Sequence, residues 1–362
     1  MTARSTFWTA APTRFAGLRR GRARIALLLL ALLLAACLTA LLVPAPPALG
    51  AAAEGARPQT DLMLYETIVA GVRGGGNYYE VAADALRAGG YPLRPFLTFR
   101  MPGLAVVLAS LPELPPRFPP GIPAKALLAM LVFAMAWTWA ERLREALPGN
   151  IARLAAAILG LGSVLAFLHG DLVAFHEIWA GPLIAWSLAL RKPGRWVEAV
   201  AIALAAMLIR ETAALYVVLM ALFAWLEGER REALGWGVAL ALFGAALGVH
   251  AWAVAGVTGP MDPASPGWAG LEGFGFFVKT MTLATGLQLF PLAAGALIVG
   301  LALFGWASWN DPLALRMIAI LAAYAAAIGM FARLDTFYWG LMVAPVFLIG
   351  LVFVPDGLRD LV

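Results

Sequence analysis

The chain is a succession of apolar runs, most of them 15 to 22 residues long, held apart by short charged loops. A helix needs roughly 20 apolar residues to cross the ~30 Å hydrocarbon core of a bilayer, and there each backbone N–H and C=O must be bonded within the segment. Of the 362 residues, 62% are hydrophobic and 13% charged, against about a quarter charged in a soluble domain. The sequence therefore reads as an all-α polytopic membrane protein with about ten or eleven transmembrane helices.

The loops fall into two alternating kinds. RLREALPGNIAR at 142–153, RKPGR at 191–195 and EGERR at 227–231 are rich in arginine and lack histidine. HGDLVAFHE at 169–177, RE at 210–211 and RLD at 333–335 mix acids with arginine or histidine. Basic loops stay in the cytoplasm, so the mixed loops are expected on the outer face. Ionisable residues gathered at one membrane face mark a place of binding or chemistry. The net charge of +5 follows this loop placement. The cations do not cluster with aromatics on a soluble face, so no nucleic-acid partner is expected. Cys37 is the only cysteine, which excludes an intramolecular disulfide and a cysteine-based zinc site.

Residues 1–24 carry Arg4, Arg14, Arg19, Arg20, Arg22 and Arg24 without an acid, and read as a basic cytoplasmic N-terminus. The 19 apolar residues from Ile25 to Val43 follow. Their length favours a retained first transmembrane helix (25–43) over a secretory signal, whose apolar core is about 7–15 residues, although the small residues that come next fit a cleavage site. The expected location is the cytoplasmic (inner) membrane, with both termini on the cytoplasmic side.

Residues 44–101 form an outer loop that opens with a Pro/Ala-rich linker. From Asp61, the residues Leu62, Tyr65, Ile68, Val69 and Val72 recur at helical spacing until Gly74–Gly76. A second amphipathic helix is expected over Tyr78–Ala88, ended by Gly89 and Gly90. Both fit juxtamembrane helices lying along the surface. Residues 102–362 then make the multi-helix transmembrane domain. The run 102–111 is short and precedes six prolines between 112 and 123, so it either dips into the bilayer or makes a short crossing. Full spans are expected at about 124–140, 151–168, 176–190, 234–255, 283–306, 313–332 and 337–354, with two shorter runs in 196–226 meeting at Arg210–Glu211. If 102–111 does not cross, about ten spans result and the arginine-rich loops share one side.

The tip residues Arg210 and Glu211 are either an ion pair closing a hairpin or the wall of a wet cavity with the guanidinium facing a phosphate. His169, Asp171, His176 and Glu177 share one short loop. They can contact substrate, anchor at the interface or hold a divalent cation, although their spacing matches no zinc signature. Arg333 and Asp335, beside Tyr338 and Trp339, are a local salt bridge or an anion contact. In the long loop, Glu66 and Asp84 read as solvated and Asp61 as an N-cap or a functional acid. Arg94 and Arg100 flank a Pro/Phe-rich turn where a guanidinium fork matches phosphate oxygens.

Two stretches resemble the GT-C class of polyprenyl-phosphate-sugar glycosyltransferases, which includes the protein mannosyltransferases and the lipid A aminoarabinose transferases. They are NYYEVAADALRAGGYPLRPFLTFRMPGL, which resembles that class's first outer loop, and HEIWAGPLIAWSLALRKPGRWVEAVAIALAAMLIRETAALY. The order of motifs covers roughly 61–226. The resemblance implies a GT-C-like fold, a polyprenyl-phosphate-linked sugar as donor, a glycan, lipid or protein acceptor, contact with membrane lipids, and inversion at the sugar carbon. On this reading the expected substrate contacts are Asn77, Tyr78, Tyr79, His176, Glu177, Glu211 and Asp335, and the expected cations are Arg94, Arg100, Arg210 and Arg333. Asn77 stands where that class carries its catalytic acid, and Arg100-Met101-Pro102 has one proline fewer than its basic-Pro-Pro segment. Asparagine cannot accept a proton as a base, so that role falls to Asp61 or Glu80, or the chain does not catalyse the transfer. A lipid or small-anion transporter and a non-catalytic membrane scaffold are the rival readings.

Overall fold

The computed structural model describes residues 7–45, 60–115, 117–168 and 170–362, and is almost wholly helical. His169, Arg4 and most of the Pro/Ala-rich linker lie outside the described residues. In chain order the α-helices are α1 (Arg20–Cys37), α2 (Asp61–Arg73), α3 (Tyr78–Ala88), α4 (Gly103–Ser110), α5 (Ile122–Arg144), α6 (Asn150–Val164) and α7 (His176–Leu190). They continue with α8 (Val197–Ile209), α9 (Ala214–Leu226), α10 (Arg230–Val257), α11 (Gly273–Leu283), α12 (Leu292–Ser308), α13 (Pro312–Phe331) and α14 (Val354–Leu361). Five helical segments are long and apolar enough to cross a membrane: Arg20–Leu42, Ile122–Arg144, Asn150–Leu168, Arg230–Val257 and Pro312–Phe331. The bent pair Leu334–Met342 and Ala344–Leu361 makes a sixth if counted as one span.

The two loop helices form where the sequence puts them. Thr60 caps α2, its hydroxyl accepting from Met63 N at 3.2 Å, so Asp61 is the first helical residue and not the cap. Asn77 caps α3 by accepting from Tyr79 N at 2.9 Å. Gly75 and Gly90 follow the helix ends with φ of +91° and +71°, backbone that a side chain would strain. α4 has eight residues, about 12 Å of helix, too short to cross. Arg73 closes its C-terminus, donating to Leu108 O at 2.8 Å and pairing with Glu113 at 3.1 Å.

Two expected spans differ. The stretch 283–306 is not one helix, because α11 stops at Leu283, a 3-10 turn fills Gly286–Leu289, and α12 starts only at Leu292 after Pro291. The stretch 337–354 is not α-helical: it lies in two 3-10 segments, Leu334–Met342 and Ala344–Phe353, bent by 64° at Val343. Pro345 removes a donor just after the bend, and Gly350 lies against the backbone of α12 at Ala302, where a Cβ would collide.

Polar contacts sort into two ends of the bundle. At one end Arg191 pairs with Glu232 at 2.8 Å and with Glu227 at 3.2 Å, and Arg316 also binds Glu227. The N-terminal strap, residues 7–18, lies at the same end. The backbone N–H groups of Phe7, Trp8 and Thr9 donate to the buried Asp356 of α14 at 2.6–2.8 Å, and Thr13 Oγ1 donates to Asp360 at 2.8 Å. Ala10 N reaches Ala146 O and Arg14 reaches Asp311 O, so the 142–153 loop joins this end too. The mixed loops gather at the other end.

Candidate functional site

α8 ends at Ile209, and Arg210 leaves the helix with extended backbone (φ −140°, ψ 110°) before the 3-10 turn Glu211–Ala213 and α9. The break sets a guanidinium at the meeting of two apolar helices of 13 residues each. The Arg210 side chain is 1% exposed. Its Nε donates to Glu177 Oε1 at 2.6 Å and its Nη1 donates to Glu211 Oε1. Glu177 comes from the first turn of α7 and is itself buried. Burying one such charge costs several kcal/mol unless it is paired, and here both partners are carboxylates. Trp339 adds its ring face 5.7 Å from the guanidinium carbon.

A second arginine shares the same carboxylate. Arg100 Nη1 donates to Glu211 Oε1 at 3.1 Å, and its Nε donates to the Tyr65 hydroxyl at 3.2 Å. The Tyr78 hydroxyl donates to Arg100 O at 2.6 Å, which ties the first turn of α3 to the strand-like approach to α4. Tyr65 packs edge-on to His176 (4.8 Å between ring centres) and Phe175 (5.7 Å). Phe175 in turn meets Tyr338 at 5.3 Å, and the Tyr338 hydroxyl donates to Asp61 Oδ2 at 3.0 Å. The result is one continuous polar cluster from Asp61 to Glu211, built from α2, α7, the α8–α9 tip and the 3-10 segment.

The cluster opens on a cavity of about 430 Å³. Arg100, Arg210 and Glu211 line one wall with Thr212 and Thr336. Leu97, Leu215, Phe331, Trp268, Trp339 and Met342 line the rest. The cavity thus has a charged corner, with two arginines paired to carboxylates, and an aromatic-aliphatic body.

Of the residues nominated from sequence, the structure brings Arg100, Glu177, Arg210 and Glu211 into direct contact, with His176, Tyr78 and Asp61 one aromatic ring or one backbone group away. Among the nominated residues the cavity lining holds Arg100, Arg210 and Glu211. Asn77 and Glu80 are exposed on α3, and Tyr79 points its hydroxyl at His250 Nδ1, 3.3 Å away. Arg94 and Arg333 do not reach the cavity as phosphate contacts. Arg94 Nε donates to Asp262 O at 2.8 Å. Arg333 forks onto Asp335 (3.1 and 2.9 Å) and donates to Gly267 O at 3.1 Å. Both therefore hold the loop 258–272, whose Trp268 lines the cavity. Arg87 grips the same loop through both oxygens of Asp262, at 3.0 and 2.8 Å, and these bonds together with that from Gly259 N hold the Asp262 carboxyl down at about 2.

Asp171 pairs with Lys125 at 3.3 Å, and among the described residues no three His, Cys, Asp or Glu side chains converge as metal ligands. Sequence reasoning missed Tyr65, Trp268 and Tyr324. Tyr65 sits on the apolar stripe of α2 and reads as core, and Trp268 lies in a Gly/Pro-rich loop with no periodic signal. Tyr324 reads as one more span residue, yet its hydroxyl donates to Thr212 O at 2.9 Å and braces the tip. Compared with known proteins, the chain matches no family model, no curated protein and no solved structure.

Proposed function

We propose that the protein is an integral membrane glycosyltransferase that moves a sugar from a polyprenyl phosphate to an acceptor hydroxyl at the outer membrane face. The observation that carries this reading is the cavity, where two arginines and a carboxylate share a corner of an otherwise apolar space. That is the complement of an amphiphile with a phosphate head and a hydrocarbon body. In the membrane topology that goes with it, α1, α5, α6, α7, α8, α9, α10, α12, α13 and the 3-10 segments make about ten crossings. α2, α3, α4 and α11 stay at the outer end, and the arginine-rich loops stay in the cytoplasm.

In the proposed reaction the acceptor oxygen attacks the anomeric carbon opposite the phosphate. The bond from that carbon to the phosphate oxygen breaks, the electron pair leaves with the phosphate, and a carboxylate takes the hydroxyl proton. Arg100 and Arg210 offset the charge on the departing phosphate. Of the candidate bases, Glu211 is on the lining, Asp61 stands behind Tyr338, and Glu80 is exposed. Glu211 accepts from both arginines. A phosphate competing for those donors frees Glu211 to take a proton, which couples donor binding to the base.

The pairing of both arginines also favours one rival, a structural ion cluster in a non-catalytic scaffold. Binding of a short-chain polyprenyl phosphate and of the matching polyprenol to the purified protein separates the two. The transferase reading expects the phosphate to bind at least about tenfold more tightly, and Arg100→Gln or Arg210→Gln to remove the difference. Equal binding of phosphate and alcohol by the unaltered protein would sink it.

A further inference from the structure

A second concave site lies away from the candidate transferase cavity, beside α1. Its volume is about 390 Å³ and its lining is apolar throughout. Ala26, Leu29, Leu30 and Leu33 of α1 form one wall, and Leu321 and Ala325 of α13 help to form the other. Phe15, stacked on Phe304 at 5.4 Å between ring centres, stands at the strap end, and Phe274 and Phe277 of α11 close the far end. The α1 wall from Ala26 to Leu33 measures about 10 Å at 1.5 Å per residue, and Leu33 lies about 16 Å along the helix from Arg22. Leu29 is 60% exposed, so the groove opens sideways to the membrane and is not sealed inside the bundle.

What lies above the mouth identifies the occupant. Ala26, Leu29, Leu30 and Leu33 follow the three-and-four spacing of one helix face, stepping back from Ala26 by four residues gives Arg22, and Arg19 is the extended residue that precedes the helix. Arg19, Arg20, Arg22 and Arg24 are all exposed, and their side chains bond no partner among the described residues. No acid occurs in residues 1–24. The nearby acids of α14 are already engaged, Asp356 by the strap N–H groups and Arg359, and Asp360 by Thr13 and Arg359. An apolar slot about 10 Å long, on the helix face that continues to Arg22 with Arg19 just before the helix, has the chemistry of one acyl chain joined to a negatively charged headgroup.

We infer that the groove between α1 and α13 is a binding site for an anionic phospholipid of the leaflet at the strap end, with one acyl chain in the groove and the headgroup phosphate on Arg19 and Arg22. This site is independent of the transferase reading. A zwitterionic headgroup brings its own cation to the arginines and loses their attraction, whereas an anionic one keeps it.

The test is native mass spectrometry of the full-length protein, released from detergent with equal amounts of phosphatidylglycerol and phosphatidylcholine. Phosphatidylglycerol adducts on the monomer are expected to exceed phosphatidylcholine adducts by about tenfold. The double change Arg19→Gln/Arg22→Gln should bring the ratio to parity, and Arg19→Lys/Arg22→Lys should retain most of it. Leu29→Trp, at the exposed edge of the groove and therefore tolerated by the fold, should reduce adducts of both lipids. Parity in the unaltered protein, or a preference that survives the glutamine changes, would overturn the proposal. So would adducts indifferent to Leu29→Trp, or a two-chain mass that Leu29→Trp returns to one, since that outcome gives the groove to a second copy.

Discussion

The bundle holds two clusters with the same inventory, two arginines and two glutamates, at opposite ends. At the strap end Arg191 and Arg316 meet Glu227 and Glu232. Glu232 is 1% exposed and Trp236 donates to it at 3.2 Å, while the Arg316 guanidinium lies over the Phe223 ring. Arg191, Arg316 and Glu232 are buried while Glu227 reaches the surface, and the network ties α7, α9, α10 and α13 together. At the other end Arg100 and Arg210 meet Glu177 and Glu211, but one side of that network faces a cavity. Equal charge content can thus be a knot or a site. What separates them is that the buried ions of one cluster border a cavity, whereas those of the other are packed in and only Glu227 reaches the surface.

This contrast breaks most sharply under substitution. Glu232→Gln leaves the buried Arg191 with Glu227 as its remaining carboxylate, and weakening such a buried pairing costs up to about 3 kcal/mol. The expected result is a large fall in thermal stability of the solubilised protein. Glu211→Gln removes a carboxylate that is 19% exposed beside open space, while Arg210 keeps Glu177, and the expected loss is smaller, about 1–2 kcal/mol. If the two variants melt alike, the distinction between knot and site fails.

Arginine-to-lysine changes sharpen it further. Arg210→Lys keeps the charge but loses the planar fork, and polyprenyl phosphate binding is expected to fall about tenfold. Arg316→Lys should leave that binding within about twofold, because it acts on the far end of the bundle. A binding defect in Arg316→Lys would join the two clusters functionally.

A smaller effect is expected with pH. The Arg87 and Gly259 bonds lower the Asp262 carboxyl from its ordinary 3.8 to about 2. A depressed carboxyl contributes stability that is present above its unfolded value and lost as pH falls through its folded one. The 258–272 loop should therefore stay seated down to about pH 4 and loosen towards pH 2. Tryptophan fluorescence reports this through Trp268, and Asp262→Asn should remove the transition. The least perturbing test is topological. Single cysteines replacing Arg94 and Arg333 should label from one side of the membrane, and one replacing Glu229 from the other; a shared side would dissolve the two-ended arrangement.

Much of this was legible in the sequence because the relevant signals are local. The helices Asp61–Arg73 and Tyr78–Ala88 follow from apolar spacing and bracketing glycines, and the two loop classes correspond to the two ends. The tip at Arg210–Glu211 was marked by charges interrupting apolar runs. Hydropathy, however, records how apolar a stretch is and not which helix it forms, so the 3-10 segments of Leu334–Phe353 and the break before Leu292 were invisible. Long-range partners were equally hidden. The Tyr338–Asp61 bond joins residues 277 apart, and nothing near Arg94 or Arg333 announces that their guanidinium groups hold a loop 66 or more residues away.

The strap has a consequence for how the molecule is made. Phe7, Trp8 and Thr9 find their acceptor in Asp356, between 347 and 349 residues downstream. A ribosome delivers that carboxylate only after the intervening helices have been synthesised. The amino-terminal stretch thus docks only once α14 has been made, and its docking reports that α14 has arrived. A chain halted before Asp356 would leave those three amides with only water to bond, an accessible tag of incomplete synthesis.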